Sequence, residues 1–155
     1  MQETGIVFTN LGDEIERDLT VNLPSELAHS TNRSSRPRVL VVDDERLIAD
    51  TCTEILESAG FDVETAYDGH AALNVVAAFH PDYLLTDVLM PRMNGVELAI
   101  AITKAAPRAK ILLFSGQAGI SEILREGRDH GYNFELIAKP IHPTKLIERL
   151  QQLAE

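Results

Sequence analysis

The sequence predicts a doubly wound α/β domain, a parallel sheet covered on both faces by helices. Three observations predict it. From residue 38 onward, five short apolar runs alternate with five longer segments of helical spacing. The clearest of those runs are continuous rather than alternating, as in strands buried on both faces. The first three helical segments stop at Gly60, before Pro81 and at Pro107, so strands and helices follow one another as βαβ units require.

Val39-Leu40-Val41-Val42 reads as the first strand. Residues 45–59 follow with apolar side chains at Leu47, Ile48, Ile55 and Leu56, and Gly60 serves as a C-terminal cap. Asp62 to Ala66 reads as the second strand and residues 69–79 as the second helix, ended by the restriction that Pro81 places on its predecessor. Tyr83-Leu84-Leu85-Thr86 is the third strand, and residues 94–106 the third helix. Ile111-Leu112-Leu113-Phe114 is the fourth strand, with a weaker helix over residues 119–129. Phe134 to Ala138 is the fifth strand. Leu146, Ile147, Leu150 and Leu153 mark residues 143–154 as a last amphipathic helix.

A chain of 155 residues suits one domain with a short appendage, and its 45% hydrophobic and 25% charged residues are those of an ordinary soluble protein. The single cysteine, Cys52, cannot pair internally, which fits a reducing compartment. No stretch approaches the roughly 18 apolar residues of a membrane span, and Gly5-Ile6-Val7-Phe8 is too short for a signal-peptide core. A cytoplasmic location is expected. A net charge of -10 without any basic run argues against nucleic-acid binding.

Residues 1–36 read as a separate acidic extension and linker, flexible by composition, before a domain over 37–155. Leu11, Ile15 and Leu19 allow a short amphipathic helix within the extension. The polar run from His29 to Pro37 reads as the linker.

In open parallel sheets ligands bind beyond the carboxyl ends of the strands, so the residues following each apolar run are the candidates for chemistry. Asp43-Asp44-Glu45 follow the first strand, Asp87 the third, Ser115-Gly116 the fourth and Lys139-Pro140 the fifth. The second delivers only Tyr67-Asp68, which places it outside the cleft. Acids alone at the start of the first helix would be explained by its dipole. That explanation does not reach Asp87 and Lys139. Two carboxylates about 4 Å apart repel by roughly 4 kcal/mol at an effective dielectric near 20, and a divalent cation removes that cost. An all-oxygen donor set suits Mg²⁺ or Mn²⁺ better than zinc, and Mg²⁺ is commonly shared with phosphate oxygens. Asp87, opposite the acidic pair, is the nucleophile such a site offers, since a carboxylate can form an acyl phosphate. Lys139 would neutralise the transferring phosphoryl group, and the Ser115 hydroxyl would hydrogen-bond one of its oxygens.

The strings Val41-Val42-Asp43-Asp44-Glu45, Leu85-Thr86-Asp87-Val88-Leu89-Met90-Pro91-Arg92-Met93-Asn94-Gly95, Phe114-Ser115-Gly116 and Ala138-Lys139-Pro140 resemble those of response-regulator receiver domains, in order and with family-like spacing. The resemblance covers about residues 37–155. It implies a five-stranded sheet in the flavodoxin-like order 2-1-3-4-5. It implies a phosphoacceptor at Asp87 that is charged by a histidine kinase or histidine phosphotransfer protein. It implies Mg²⁺ held by Asp43, Asp44, Asp87 and the backbone carbonyl of Leu89. Val88, Ser115, Gly116 and Lys139 would contact the phosphoryl group. The Lys139-Pro140 bond would be cis, and Gly95 would fill a turn position tolerant of positive φ.

The chain departs from the family pattern at two places, and two further positions near the site are ones where receivers vary. Leu136 stands where receivers commonly carry the Tyr or Phe that moves together with the hydroxyl residue, here Ser115. Phe134, two residues earlier on the same strand face, is the nearest aromatic substitute. The stretch Gly131-Tyr132-Asn133-Phe134-Glu135 is one residue longer than usual. Leu89 and Gln117 flank the site, and apolar Leu89 predicts slow hydrolysis of the acyl phosphate.

Three other functions compete with a phosphoryl-accepting signalling domain. A phosphatase of the haloacid-dehalogenase kind needs a second acid two residues after its nucleophile, where this chain has Leu89. A dinucleotide enzyme needs G-x-G-x-x-G after the first strand, which is absent. A protein-binding module on the receiver fold that works without phosphorylation fits all but the intact site. The last helix runs almost to residue 155, so the expected output is a protein contact, through the face of the fourth helix, fifth strand and last helix, or a phosphoryl group passed on.

Overall fold

The computed structural model describes residues 35–116 and 118–154. The helix allowed over residues 11–19, His29 and Gln117 lie outside the described residues. Ten elements alternate in sequence: β1 (Arg38–Val42), α1 (Arg46–Ser58), β2 (Asp62–Ala66), α2 (Gly69–Phe79), β3 (Tyr83–Asp87), α3 (Gly95–Ala105), β4 (Lys110–Ser115), α4 (Ser121–Asp129), β5 (Glu135–Ala138) and α5 (Pro143–Ala154). The strands form one parallel sheet in the order β2-β1-β3-β4-β5.

Continuous apolar runs in β1, β3 and β4 build two cores, because successive side chains point to opposite faces. Leu40, Val42, Leu84, Ile111 and Leu113 face one way and meet Ala72 and Val76 of α2 and Leu98, Ala99 and Ile102 of α3. Val39, Val41, Leu85, Leu112 and Phe114 face the other way and meet Cys52 and Leu56 of α1 and Leu146 and Leu150 of α5. Each fully buried Leu, Ile or Val contributes about 1.5–3 kcal/mol relative to exposure, so the sheet is held rigidly from both sides. That rigidity fixes where the carboxyl ends of the strands point.

Helix ends follow the expected chemistry. Gly60 takes φ 98° after α1, and His80 takes a left-handed φ of 55° before Pro81. Asn94 and Glu97 form a reciprocal capping box at the start of α3. The boundaries differ from the sequence expectation at the fourth helix, which starts at Ser121 rather than 119, and at β5, which starts at Glu135. Phe134 therefore precedes the strand and stacks on Tyr132, with ring centroids 5.5 Å apart. Only Gly127 of α4 is buried, which accounts for its weak apolar signature.

Gly95 does not serve the purpose expected of it. It is the first residue of α3 and is not among the positive-φ residues; that conformation belongs to Arg92, at φ 70°. What Gly95 supplies is the absence of a Cβ, which would collide with the Asp87 carbonyl oxygen. Its N–H instead donates to the Val88 carbonyl at 2.8 Å. Gly95→Ala is expected to lower the unfolding free energy by about 2–3 kcal/mol, the upper part of the range for overpacking, because backbone must move to make room. Urea denaturation measures it, and an unchanged midpoint contradicts it.

Candidate functional site

The register places the polar residues side by side. Val42 pairs with Thr86, so Asp43 and Asp87 leave adjacent strands together. Asp87 pairs with Phe114, and Ser115 with Ala138, which delivers Lys139 one residue later. Residues separated by 96 positions in sequence thus meet: Lys139 Nζ donates to Asp43 Oδ2 at 2.8 Å. The same ammonium lies 3.3 Å from Asp87 Oδ1 and 3.8 Å from Glu45 Oε1.

Lys139 reaches across β4 to do this. Its ammonium stands 4.8 Å from the Phe114 ring centroid, so the aromatic face supports the stem and charge as they cross. Gly116 leaves room beside it, since a Cβ there would come within 3.1 Å of the Lys139 Cβ. The Lys139 N–H donates to the Ser115 carbonyl at 2.9 Å, and the Lys139-Pro140 bond is cis. Phe114 has a part in the site that its position in the Phe-Ser-Gly string did not announce.

Asp43 is 1% exposed and Asp87 5%. Asp43 Oδ1 also accepts the Glu45 N–H at 2.9 Å, which turns the chain into α1 and leaves Asp44 on the surface. Oxygens of Asp43, Asp44 and Asp87 lie within 4.8 Å of one another, close enough to share one cation. Asp87 Oδ1 is buried without a hydrogen-bond partner; the Lys139 contact is an ion pair without hydrogen-bond alignment. A buried anionic oxygen left in that state is costly, and a hard divalent cation is what its geometry and charge accommodate.

Burial, and then the charge of Asp43, push the Asp87 carboxyl up from 3.8 to about 6, against the pull of Lys139 and a hydrogen bond from Val88. Burial works to lower the Lys139 ammonium, but the hydrogen bond to Asp43 and the charges of Asp87 and Asp43 prevail, and its net direction is upward. Cys52 lies near this charge but is pushed up to about 11, first by burial and then by Asp43, so it stays a neutral thiol.

The remaining residues singled out in the sequence are placed as follows. Ser115 is buried at the end of β4, and Val88 is fully buried beneath the loop that follows Asp87. Leu89 is half-buried in that loop. Leu136 pairs with Leu113 but is 37% exposed, on an edge strand. His70, His80, His130 and His142 are exposed. β2 is an edge strand apart from the cleft, and the Asp68 that follows it caps α2 and also contacts Arg92 of the β3–α3 loop at the surface. That long-range partner left no mark in the local sequence.

A parallel sheet with carboxylates and one shared ammonium at its carboxyl edge defines a phosphoryl-handling α/β domain. The model of the response regulator receiver domain matches residues 39–151, and this chain belongs to that family. It is a signalling domain of the two-component, response-regulator kind. The response regulator MprA of Mycobacterium avium is 34% identical over 116 residues, 75% of this chain and 50% of MprA. This chain spans about half the length of the curated relatives it matches. Among solved structures, the Vibrio cholerae chemotaxis protein CheY4 superposes with a TM-score of 0.69 at 30% identity, over 77% of this chain and 99% of that one. A CheY-like receiver domain from Methanospirillum hungatei gives 0.69 at 29% identity, over 77% and 95%. No helix among the described residues is long and apolar enough to cross a membrane.

The raised Asp87 carboxyl has a consequence for stability. Between its unfolded value and about 6 the folded chain holds more protons than the unfolded one, so this group's contribution to stability falls as pH rises through that window. In chelator at pH 7.5, Asp87→Asn is expected to raise the unfolding free energy by about 1–3 kcal/mol, and the gain shrinks toward zero near pH 4. Equal urea midpoints for the two proteins at pH 7.5 contradict this.

Proposed function

We propose that Asp87 takes a phosphoryl group from a phosphohistidine protein, a histidine kinase or histidine phosphotransfer protein, and that the phosphorylated domain signals through protein contacts. The observation that carries the reading is the convergence of Asp43, Asp44 and Asp87 oxygens within 4.8 Å of one another, with Lys139 beside them. An ionised Asp87 oxygen attacks phosphorus, the P–N bond to the donor imidazole breaks, and the imidazole leaves with its electron pair and takes up a proton. Lys139 meets the charge on the phosphoryl oxygens, assisted by the Ser115 hydroxyl and the backbone N–H groups of Val88 and Gly116.

Asp43, Asp44, Asp87 and the Leu89 carbonyl would hold Mg²⁺, or Mn²⁺. Bound there, the cation offsets the repulsion of the carboxylates and of the incoming phosphoryl group. Within this reading residues 1–36 form an extension and 37–155 the receiver, acting in the cytoplasm without nucleic-acid contact of their own.

The donor needs a docking surface that ends at Lys139. An apolar groove of about 310 Å³ meets that need, lined by Leu47, Ile48, Ile55, Phe114, Lys139 and Ile141. Leu47 is 79% exposed at its rim. We assign the groove to the phosphohistidine donor because Lys139, whose ammonium stands beside Asp87, is among the residues that line it. Leu47→Glu is expected to slow transfer from a phosphohistidine protein about tenfold and leave the reaction with acetyl phosphate unchanged; equal slowing with both donors removes the assignment.

Incubation with Mg²⁺ and acetyl phosphate, followed by intact mass, tests the central claim. The wild-type chain is expected to gain one phosphoryl group and Asp87→Asn none. Freed of donor, the wild-type adduct decays slowly, and Leu89→Asn changes its lifetime. No mass gain from a chain that binds Mg²⁺ transfers support to a phosphorylation-independent binding module. The exposed Leu136 favours that alternative, since a leucine at the surface offers no inward aromatic to couple with Ser115.

A further inference from the structure

The β3–α3 loop, residues 88–94, carries Leu89 and Val88, and its base is held by Gly95 against Asp87 and Val88. Its crown is held from elsewhere. Gly69, buried as the first residue of α2, packs against Met93: a Cβ there would stand 2.6 Å from the Met93 Sδ and 3.0 Å from its Cβ and Cγ. Beside it Asp68 uses both carboxylate oxygens. Oδ1 accepts from the Ala71 N–H at 2.7 Å and caps α2, while Oδ2 stands 3.4 Å from Arg92 Nη2. Arg92 and Met93 are thus tied, side by side, to the turn that follows β2.

We propose that Gly69 is a positioning residue for phosphoryl transfer: through Met93 it sets the height of the β3–α3 loop, and with it the Leu89 carbonyl, over Asp87. This rests on the assignment of Leu89 under Proposed function.

The two contacts differ in weight. The Arg92–Asp68 pair is surface-exposed, with side chains 65% and 34% accessible, and such pairs are worth little. The Gly69–Met93 contact is steric. The Met93 Sδ can swing aside from an added methyl, but its Cβ at 3.0 Å is fixed to the loop backbone. A methyl at position 69 therefore pushes the loop itself. Arg92, at φ 70°, sits in a conformation that leaves this part of the loop little freedom to absorb the push elsewhere. The loop is consequently held at its base by one glycine against β3 and at Met93 by another on α2. The second clamp brings α2, a helix without a residue in the site, into control of the site's geometry.

The test compares the full-length wild type with Gly69→Ala, Met93→Ala and the double variant, reading Mg²⁺ affinity by calorimetry, phosphorylation by acetyl phosphate, and backbone amide shifts of residues 88–94 without metal. Gly69→Ala is expected to weaken Mg²⁺ binding and slow phosphorylation about five- to tenfold, and to shift the amides of the loop. The double variant, which removes the atoms the methyl strikes, is expected to restore all three toward wild type. A Gly69→Ala protein with wild-type affinity, rate and shifts overturns the proposal. So does a double variant as impaired as Gly69→Ala, because the effect would then run through α2 rather than Met93. If the wild type binds no Mg²⁺, the metal assignment fails by itself, and the amide shifts still decide whether the clamp exists.

Discussion

Asp43 and Asp87 leave adjacent strands of one parallel sheet and are buried close together, and Lys139 is the cation that makes this tolerable. Its ammonium bonds Asp43 at 2.8 Å and stands 3.3 Å from Asp87. Two buried carboxylates at such range repel by several kcal/mol even at a generous dielectric, and desolvation adds to the penalty. One ammonium cannot satisfy both. Asp87 keeps a buried oxygen without a hydrogen bond, and its affinity for protons rises. The unmet electrostatic demand is of the kind a hard cation would relieve.

The architecture exists to impose that crowding. Leucines, valines and isoleucines on both faces of β1, β3 and β4 lock the register, so the carboxylates cannot separate without breaking two cores. β5 contributes less to the core than to the aim of Lys139, whose stem crosses the Phe114 ring on its way to the acids. Stability is concentrated away from the carboxyl edge, and the edge itself is held under electrostatic strain. This division is expected wherever chemistry needs charges that folding alone would keep apart.

Around the rigid strands the loops are set by absences of side chain as much as by contacts. Gly95 lets α3 begin against the Asp87 carbonyl, Gly116 clears space for Lys139, and Gly69 receives Met93. The helix at the opposite extreme is α4, with a glycine as its single buried residue, next to the exposed Leu136 of β5. That helix buries the fewest residues of the five.

Strand and helix order, and the residues that follow each strand, were legible along the chain because burial on both faces writes a continuous apolar run and because Gly and Pro punctuate it. Asp43, Asp44, Asp87, Ser115 and Lys139 could be nominated from that pattern without coordinates. The sequence alone therefore determined the fold class and the chemical inventory of the candidate site. Only the tertiary structure decided that Lys139 is shared between two acids, that Phe114 supports it, that Gly95 is needed for clearance rather than for its φ, and that Asp68 reaches Arg92. The physical reason is range. Hydrophobic periodicity is a local property of neighbouring residues, whereas charge sharing and steric clearance depend on distances between segments far apart in the chain, fixed only when the register of the sheet is.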